Sequence, residues 1–144
     1  MKEKRKAVSR GTLGEPSFRQ GTLMQWPCQI NLVPIRAPYF DEADLLISAD
    51  CAAYACRNLH EELMRDRITL IGCARTDTKD ITERLTAIIR ENNLRSITVV
   101  RLEVGCCGAM ELAVRRALKA SGKEIPIGIA SVSTDGKIME LNTY

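Results

Sequence analysis

Ile97-Thr-Val-Val-Arg-Leu-Glu-Val-Gly-Cys-Cys-Gly-Ala109 reads as a buried strand running into a cysteine pair and then a helix. Aliphatic residues at consecutive positions mark a strand covered on both faces, the form taken in parallel sheets. Two other stretches repeat the pattern. Leu45-Leu-Ile-Ser-Ala-Asp-Cys51 and Ile68-Thr-Leu-Ile-Gly-Cys73 are apolar strands that each deliver a thiol at the carboxyl end. Packing alone does not require three such endings.

Around these strands the chain alternates between strand and helix patterns. Gln29–Val33 alternates as a first strand closed by Pro34, and Ala37–Phe40 is a turn followed by a short helical turn at Asp41–Asp44. Asp50 is placed to cap a helix over Ala52–Arg65, with Ala53, Cys56, Leu59 and Leu63 inward. Asp77 or Thr78 caps the next helix, which runs to about Asn92 with Ile81, Leu85, Ile88 and Ile89 as its buried stripe. Gly108–Ala120 forms a third, with Met110, Ala113, Val114, Ala117 and Leu118 inward and Gly122 just past its end. Ile125–Val132 is a further strand. Asp135-Gly136 is a hairpin turn, and Lys137–Leu141 closes the chain. The expectation is an α/β fold: a mostly parallel sheet flanked by helices in a three-layer Rossmann-like sandwich, with a C-terminal β-hairpin.

The chain of 144 residues points to one domain, over residues 23–144, preceded by a flexible basic arm over residues 1–22. Five basic groups against Glu3 in the first ten residues leave the rest of the chain, of net charge +3 overall, close to neutral. With two Phe, three Tyr and one Trp there is little stacking surface for nucleic acid, which is not expected as a partner. No apolar run is long enough to span a membrane, and no apolar segment follows the charged N-terminus as in a secretory signal; the expected location is cytoplasmic.

Six cysteines in a reducing compartment point to metal binding or redox chemistry rather than disulfides. In a parallel sheet, Cys51, Cys73, Cys106 and Cys107 would all arrive at one carboxyl edge, where open α/β sheets bind ligands. Helix N-termini there favour thiolates. Gly72, Gly105 and Gly108 let the backbone approach a cofactor closely. Four thiolates suit a 4Fe–4S cluster, or zinc as the alternative. Dispersed ligands favour the cluster, since structural zinc usually takes local Cys-x-x-Cys pairs. Asp50 and Glu103, beside the cysteines, read as an N-cap and a salt-bridge partner. Cys28 and Cys56 read as small core hydrophobes, although Cys56 and His60 stand at an i, i+4 spacing that can hold a metal.

Ala37-Pro-Tyr-Phe40, Ala43-Asp-Leu-Leu-Ile-Ser-Ala-Asp-Cys-Ala-Ala-Tyr54, Leu70-Ile-Gly-Cys73, the stretch from Ile97 to Gly108 and Ser133-Thr-Asp-Gly-Lys137 resemble the C-terminal part of ferredoxin-type 4Fe–4S proteins of anaerobic bacteria. The likeness runs from about Leu23 almost to the end. It lacks the N-terminal ferredoxin segment with Cys-x-x-Cys spacings, since no cysteine precedes Cys28. Ala74 and Gly105 stand where that family would have prolines. A weaker likeness is to the Cys-Cys-Gly domains of heterodisulfide reductases, whose later Cys-x-x-Cys is missing. The resemblance implies an iron–sulfur protein in electron transfer or a redox accessory role, with a redox partner protein and with homodimer formation left open. Two other readings remain: a cysteine-based thiol enzyme or sulfur or metal carrier using the Cys106–Cys107 pair, and a non-catalytic interaction module with structural cysteines.

Overall fold

Leu45–Ile47, Val99–Val100 and Ile129–Ala130 place apolar side chains on both sides of their strands, so the sheet needs cover on both faces. A computed structural model of the chain, which describes residues 21–77, 80–105 and 108–143, has that arrangement. Its sheet contains β1 (Asp44–Ala49), β2 (Ile68–Gly72), β3 (Ser96–Leu102), β4 (Ile127–Val132) and β5 (Ile138–Thr143). The spatial order is β2-β1-β3-β4-β5. β1 pairs in parallel with β2 and with β3, β3 pairs in parallel with β4, and β5 closes the sheet antiparallel to β4. The family of folds anticipated from the strand and helix alternation is therefore the one observed.

Three helices fill the crossovers: α1 (Asp50–Ala55), α2 (Ile81–Glu91) and α3 (Gly108–Ser121). Right-handed crossovers put α1 on one face and α2 and α3 on the other, where α2 and α3 pack against each other. The α2 stripe of Ile81, Leu85, Ile88 and Ile89 is buried, as are Met110, Ala113, Val114 and Ala117 of α3. Gly122, at φ +77°, ends α3, and Gly136, at φ +98°, turns the β4–β5 hairpin. No helix among the described residues is long and apolar enough to cross a membrane.

Several local expectations are corrected. Residues 29–33 are not a strand. Gln29 makes a single parallel bridge to Ile71, after which Leu32 and Val33 both donate backbone N–H groups to the Gln29 carbonyl. The chain coils, and Ile30 and Val33 are the buried pair. The Asp41–Asp44 segment is a turn with Glu42 at φ +54°, and Asp44 already belongs to β1. The helix expected over residues 52–65 is broken. The Arg57 N–H leaves the helical ladder for the carbonyl of Gly136 in the hairpin turn, at 3.0 Å, and a π-helical turn follows at Leu59–Met64. Ala49, not Asp50, occupies the N-cap of α1, without a side-chain cap. Asp80, not Asp77, caps α2 by accepting the Thr82 N–H at 2.9 Å; Thr78 lies outside the described residues.

The exposed side of β2 is covered by an N-terminal strap. Thr69 and Ile71 turn backbone groups away from β1. The Gln25 amide donates to the Thr69 carbonyl at 2.5 Å and accepts the Thr69 N–H at 3.5 Å, so one side chain substitutes for a neighbouring strand. The Ile71 N–H donates to the Cys28 carbonyl and the Ile30 N–H to the Ile71 carbonyl. Upstream, Thr22 donates its N–H to His60 Nδ1 and its hydroxyl to the His60 carbonyl, each at 2.9 Å. An uncovered strand edge is a template for aggregation. Gln25 is buried, and replacing it with Ala leaves the Thr69 groups without partners. Gln25→Ala is expected to cost about 1–3 kcal/mol in urea unfolding; an unchanged midpoint would show that water satisfies Thr69 equally well.

Candidate functional site

Because β2, β1 and β3 are adjacent and parallel, the residues that follow them leave the sheet at one edge. Ala49 is in register with Gly72, so Cys73 follows β2 directly beside the start of α1, which carries Cys51. β3 runs on to Leu102 and leads through Gly105 toward α3. The strand order reverses between β1, which crosses to β2 on one side, and β3, which crosses to β4 on the other. That reversal is where open α/β sheets form their ligand crevice.

The described cysteines occupy three kinds of environment. Cys51 is exposed and lines a mostly apolar cleft of about 460 Å³ with Asp50, Tyr54, Ala55, Leu102 and Thr134. Tyr54 stands almost fully in solvent, 96% exposed. Cys73 is half-buried, and its thiol pKa is lowered. The Thr76 hydroxyl bonded to its sulfur is the largest cause, and the Arg75 and Thr76 N–H groups add to it; burial and the Asp50 charge oppose them. Cys56 is in the core, where burial pushes its thiol up. Its i, i+4 spacing to His60 does not fall on one continuous helix, which ends at Ala55, and His60 Nδ1 accepts from Thr22.

The β2–α2 loop is built around Cys73. The Asp77 carboxylate accepts the Cys73 N–H at 3.3 Å, and the Asp77 N–H donates to the Cys73 carbonyl at 3.1 Å. A Cβ on Gly72 would meet Asp77 Oδ2 at 3.1 Å and Ile30 Cδ1 at 2.9 Å. Glycine at 72 is thus explained by loop closure and strap packing. At Gly105 an added Cβ would meet nothing within 4 Å, and at Gly108 it would make ordinary contact with the Arg101 guanidinium.

Two members of this edge have roles different from those expected. Cys28, read as a core residue, ends the strap half-buried, within the field of Asp50. Burial is the main cause of its raised thiol pKa, with Asp50 adding to it. Asp50, read as an N-cap, has a buried Oδ1 without a hydrogen-bond partner. Burial and the Asp77 charge raise its carboxyl pKa. The sequence signal for Cys28 lay in spacing that only the strap makes meaningful: Cys28 reaches the edge because Gln29 bridges Ile71. Glu103 is exposed, and its N–H donates to the Val132 carbonyl.

Cys106 and Cys107 lie outside the described residues. Among the described residues, no group of three or more His, Cys, Asp or Glu side chains is arranged to hold a metal ion. Cys73 nevertheless has the donor surroundings that suit a thiolate ligand, and Cys51 offers a solvent-facing thiol on the adjoining strand end.

A family model described as a Rossmann-like domain matches residues 37–144. A protein of Archaeoglobus fulgidus described as uncharacterized is 34% identical over 101 residues, covering 69% of this chain and 71% of the relative. No solved structure matches.

The Cys73 environment gives a directional prediction for metal-free, reduced protein. A lowered thiol pKa means that the reactive thiolate forms at lower pH than in an ordinary cysteine. Cys73 should therefore alkylate with iodoacetamide at lower pH than Cys28 or Cys56, whose thiols are shifted upward. Thr76→Val removes the hydroxyl donor and should move the Cys73 rate profile to higher pH. Peptide mass spectrometry across a pH series reads both effects; an unmoved Cys73 profile in the variant would refute the role given to Thr76.

Proposed function

The chain belongs to the Rossmann-like domain family, and on that premise we propose that it is an iron–sulfur protein. In this reading it holds a 4Fe–4S cluster through Cys51, Cys73, Cys106 and Cys107 and serves electron transfer or a redox accessory role. The observation that carries the reading is the strand order. β2, β1 and β3 are parallel neighbours, and each is followed in sequence by one or two of these cysteines. The resemblance of the same stretches to ferredoxin-type 4Fe–4S proteins supports it.

The bound cluster would supply one-electron chemistry. The chain's own residues would hold and insulate it. Thr76 and the Arg75 and Thr76 N–H groups donate to the Cys73 sulfur, which spreads negative charge from a thiolate into fixed dipoles. Leu102 and Ala55 line the cleft beside Cys51 and limit water there. A redox partner protein would approach this edge, where Tyr54 is exposed. Zinc is the alternative metal for the same thiolates.

A second reading is favoured by the lowered Cys73 pKa: thiol chemistry, as a cysteine-based enzyme or a sulfur or metal carrier. Protein purified without oxygen separates the two. The cluster reading expects a brown solution absorbing at about 400 nm with about four iron and four sulfide per chain. Cys51→Ser and Cys73→Ser should each lose most of the iron, while Cys56→Ala should keep it. Colourless, iron-free wild-type protein would sink the cluster reading, and rapid alkylation of Cys73 in that protein would favour the thiol reading. Stoichiometric zinc without sulfide would identify the alternative metal.

A further inference from the structure

His60 is the single histidine of the chain, and it stands where the N-terminal strap meets the π-helical turn after α1. Thr22 bonds to it twice. The Thr22 N–H donates to Nδ1 and the Thr22 hydroxyl to the His60 carbonyl, each at 2.9 Å. A backbone N–H only donates, so Nδ1 carries no proton and the ring is the neutral form protonated at Nε2. A proton on Nδ1 would set two N–H groups against each other across that 2.9 Å gap. The other acceptor on Thr22, Oγ1, lies 3.4 Å from Nδ1, too far to replace the lost bond at equal strength. This contact is therefore tied to one protonation state. The Gln25–Thr69, Cys28–Ile71 and Ile30–Ile71 bonds further along the strap involve amide groups alone.

The contact also closes a cleft. Gly21 of the strap, Ala53, Cys56, Arg57 and His60 lie around a cavity of about 350 Å³ at the end of α1. The Cys56 side chain is buried there. Between the Thr22 bonds and the next anchor at Gln25, Leu23 and Met24 are exposed. Little apolar burial thus holds the strap end in place, and segments with few buried contacts open locally at low cost. Charged groups surround the ring on two sides. Arg57 comes from the end of α1, and Glu61 and Glu62 from the π-helical turn. Asp135 of the hairpin lies within the field of Arg57. Residues 21–25 of the strap carry no charge.

We propose that His60 is a proton-operated latch: its neutral imidazole holds the strap end over this cleft, and protonation of Nδ1 releases the strap end and opens the cleft to the Cys56 thiol. An imidazole changes charge between about pH 5 and 8. The contact needs the neutral ring, so it is present on the alkaline side of that range and lost as pH falls through it. The latch is independent of what the cysteines at the carboxyl edge hold.

The test uses the full chain and two readouts. Exchange of the Thr22 amide proton with water is followed by NMR and divided by its intrinsic rate at each pH. Reaction of Cys56 with 4,4′-dithiodipyridine is followed by peptide mass spectrometry and divided by that of free glutathione. From about pH 8 to about pH 5, both ratios should rise several-fold in the wild type. His60→Gln offers an acceptor that does not titrate and keeps Arg57, Glu61 and Glu62, so both ratios should stay flat. His60→Ala should show the open-state ratios at both ends of the range. Wild-type ratios that ignore pH would overturn the latch. A rise that persists in His60→Gln would also overturn it, because the response would then belong to the neighbouring charges. Thr22 exchange that responds while Cys56 does not would remove the opening of the cleft. The nitrogen NMR signals of the single imidazole give a check that needs no variant. At the alkaline end Nδ1 should be the unprotonated nitrogen and Nε2 the protonated one; the reverse tautomer would refute the latch.

Discussion

Parallel pairing of β1 on both sides is the constraint from which the rest of the molecule follows. Parallel neighbours cannot be joined by a tight turn, so each connection must cross the sheet and return. β1 to β4 then all end at the same edge, and every crossover begins there. That geometry brings the first turn of α1 and the β2–α2 loop together at this edge. It also leaves the outer side of β2 without a strand, because β2 is the last in the order on that side.

The strap resolves that second consequence and alters the first. Gln25 and the Cys28–Ile30 backbone satisfy the outward groups of Thr69 and Ile71. Arg84 of α2 anchors the same segment, donating to the Ile30 carbonyl at 2.7 Å and to the Val33 carbonyl. Covering the β2 edge brings a further thiol, Cys28, toward the carboxyl edge. Burial and Asp50 push its pKa up, whereas hydrogen bonds lower that of Cys73. The same residue type thus differs in charge preference according to whether hydrogen bonds or burial dominate at its sulfur.

Long apolar runs and periodic helices were legible because their burial depends on many residues at once. The stripe Ile81, Leu85, Ile88, Ile89 fixes the α2 face whatever its exact first residue. The helix N-caps and the break after α1 were not legible, since each turns on a single hydrogen bond, whereas the Gly122 terminus of α3 was. Asp50 has the composition of an N-cap, yet its side chain does not serve as one. The helix after it ends where Gly136, far along the chain, takes the Arg57 N–H. The convergence of the β1 and β2 ends on one edge could be read from the strand–cysteine grammar. The Cys73 loop could not: Asp77 resembles a helix cap in sequence, and its bond to the Cys73 N–H exists only once Gly72 permits the close approach.

Charge at the edge sets what it can hold. Asp50 and Asp77 raise the local negative potential, which disfavours any additional anion, including a thiolate. Cys73 overcomes this with hydrogen bonds directed at its sulfur, a short-range effect that a carboxylate at greater distance does not cancel. On the other side of β1, the Arg101 charge is taken up within the fold by Glu111 and by the Leu102 and Val104 carbonyls. The edge therefore favours a thiolate at Cys73 over one at Cys28, because hydrogen bonds are the largest influence on the first sulfur and burial on the second.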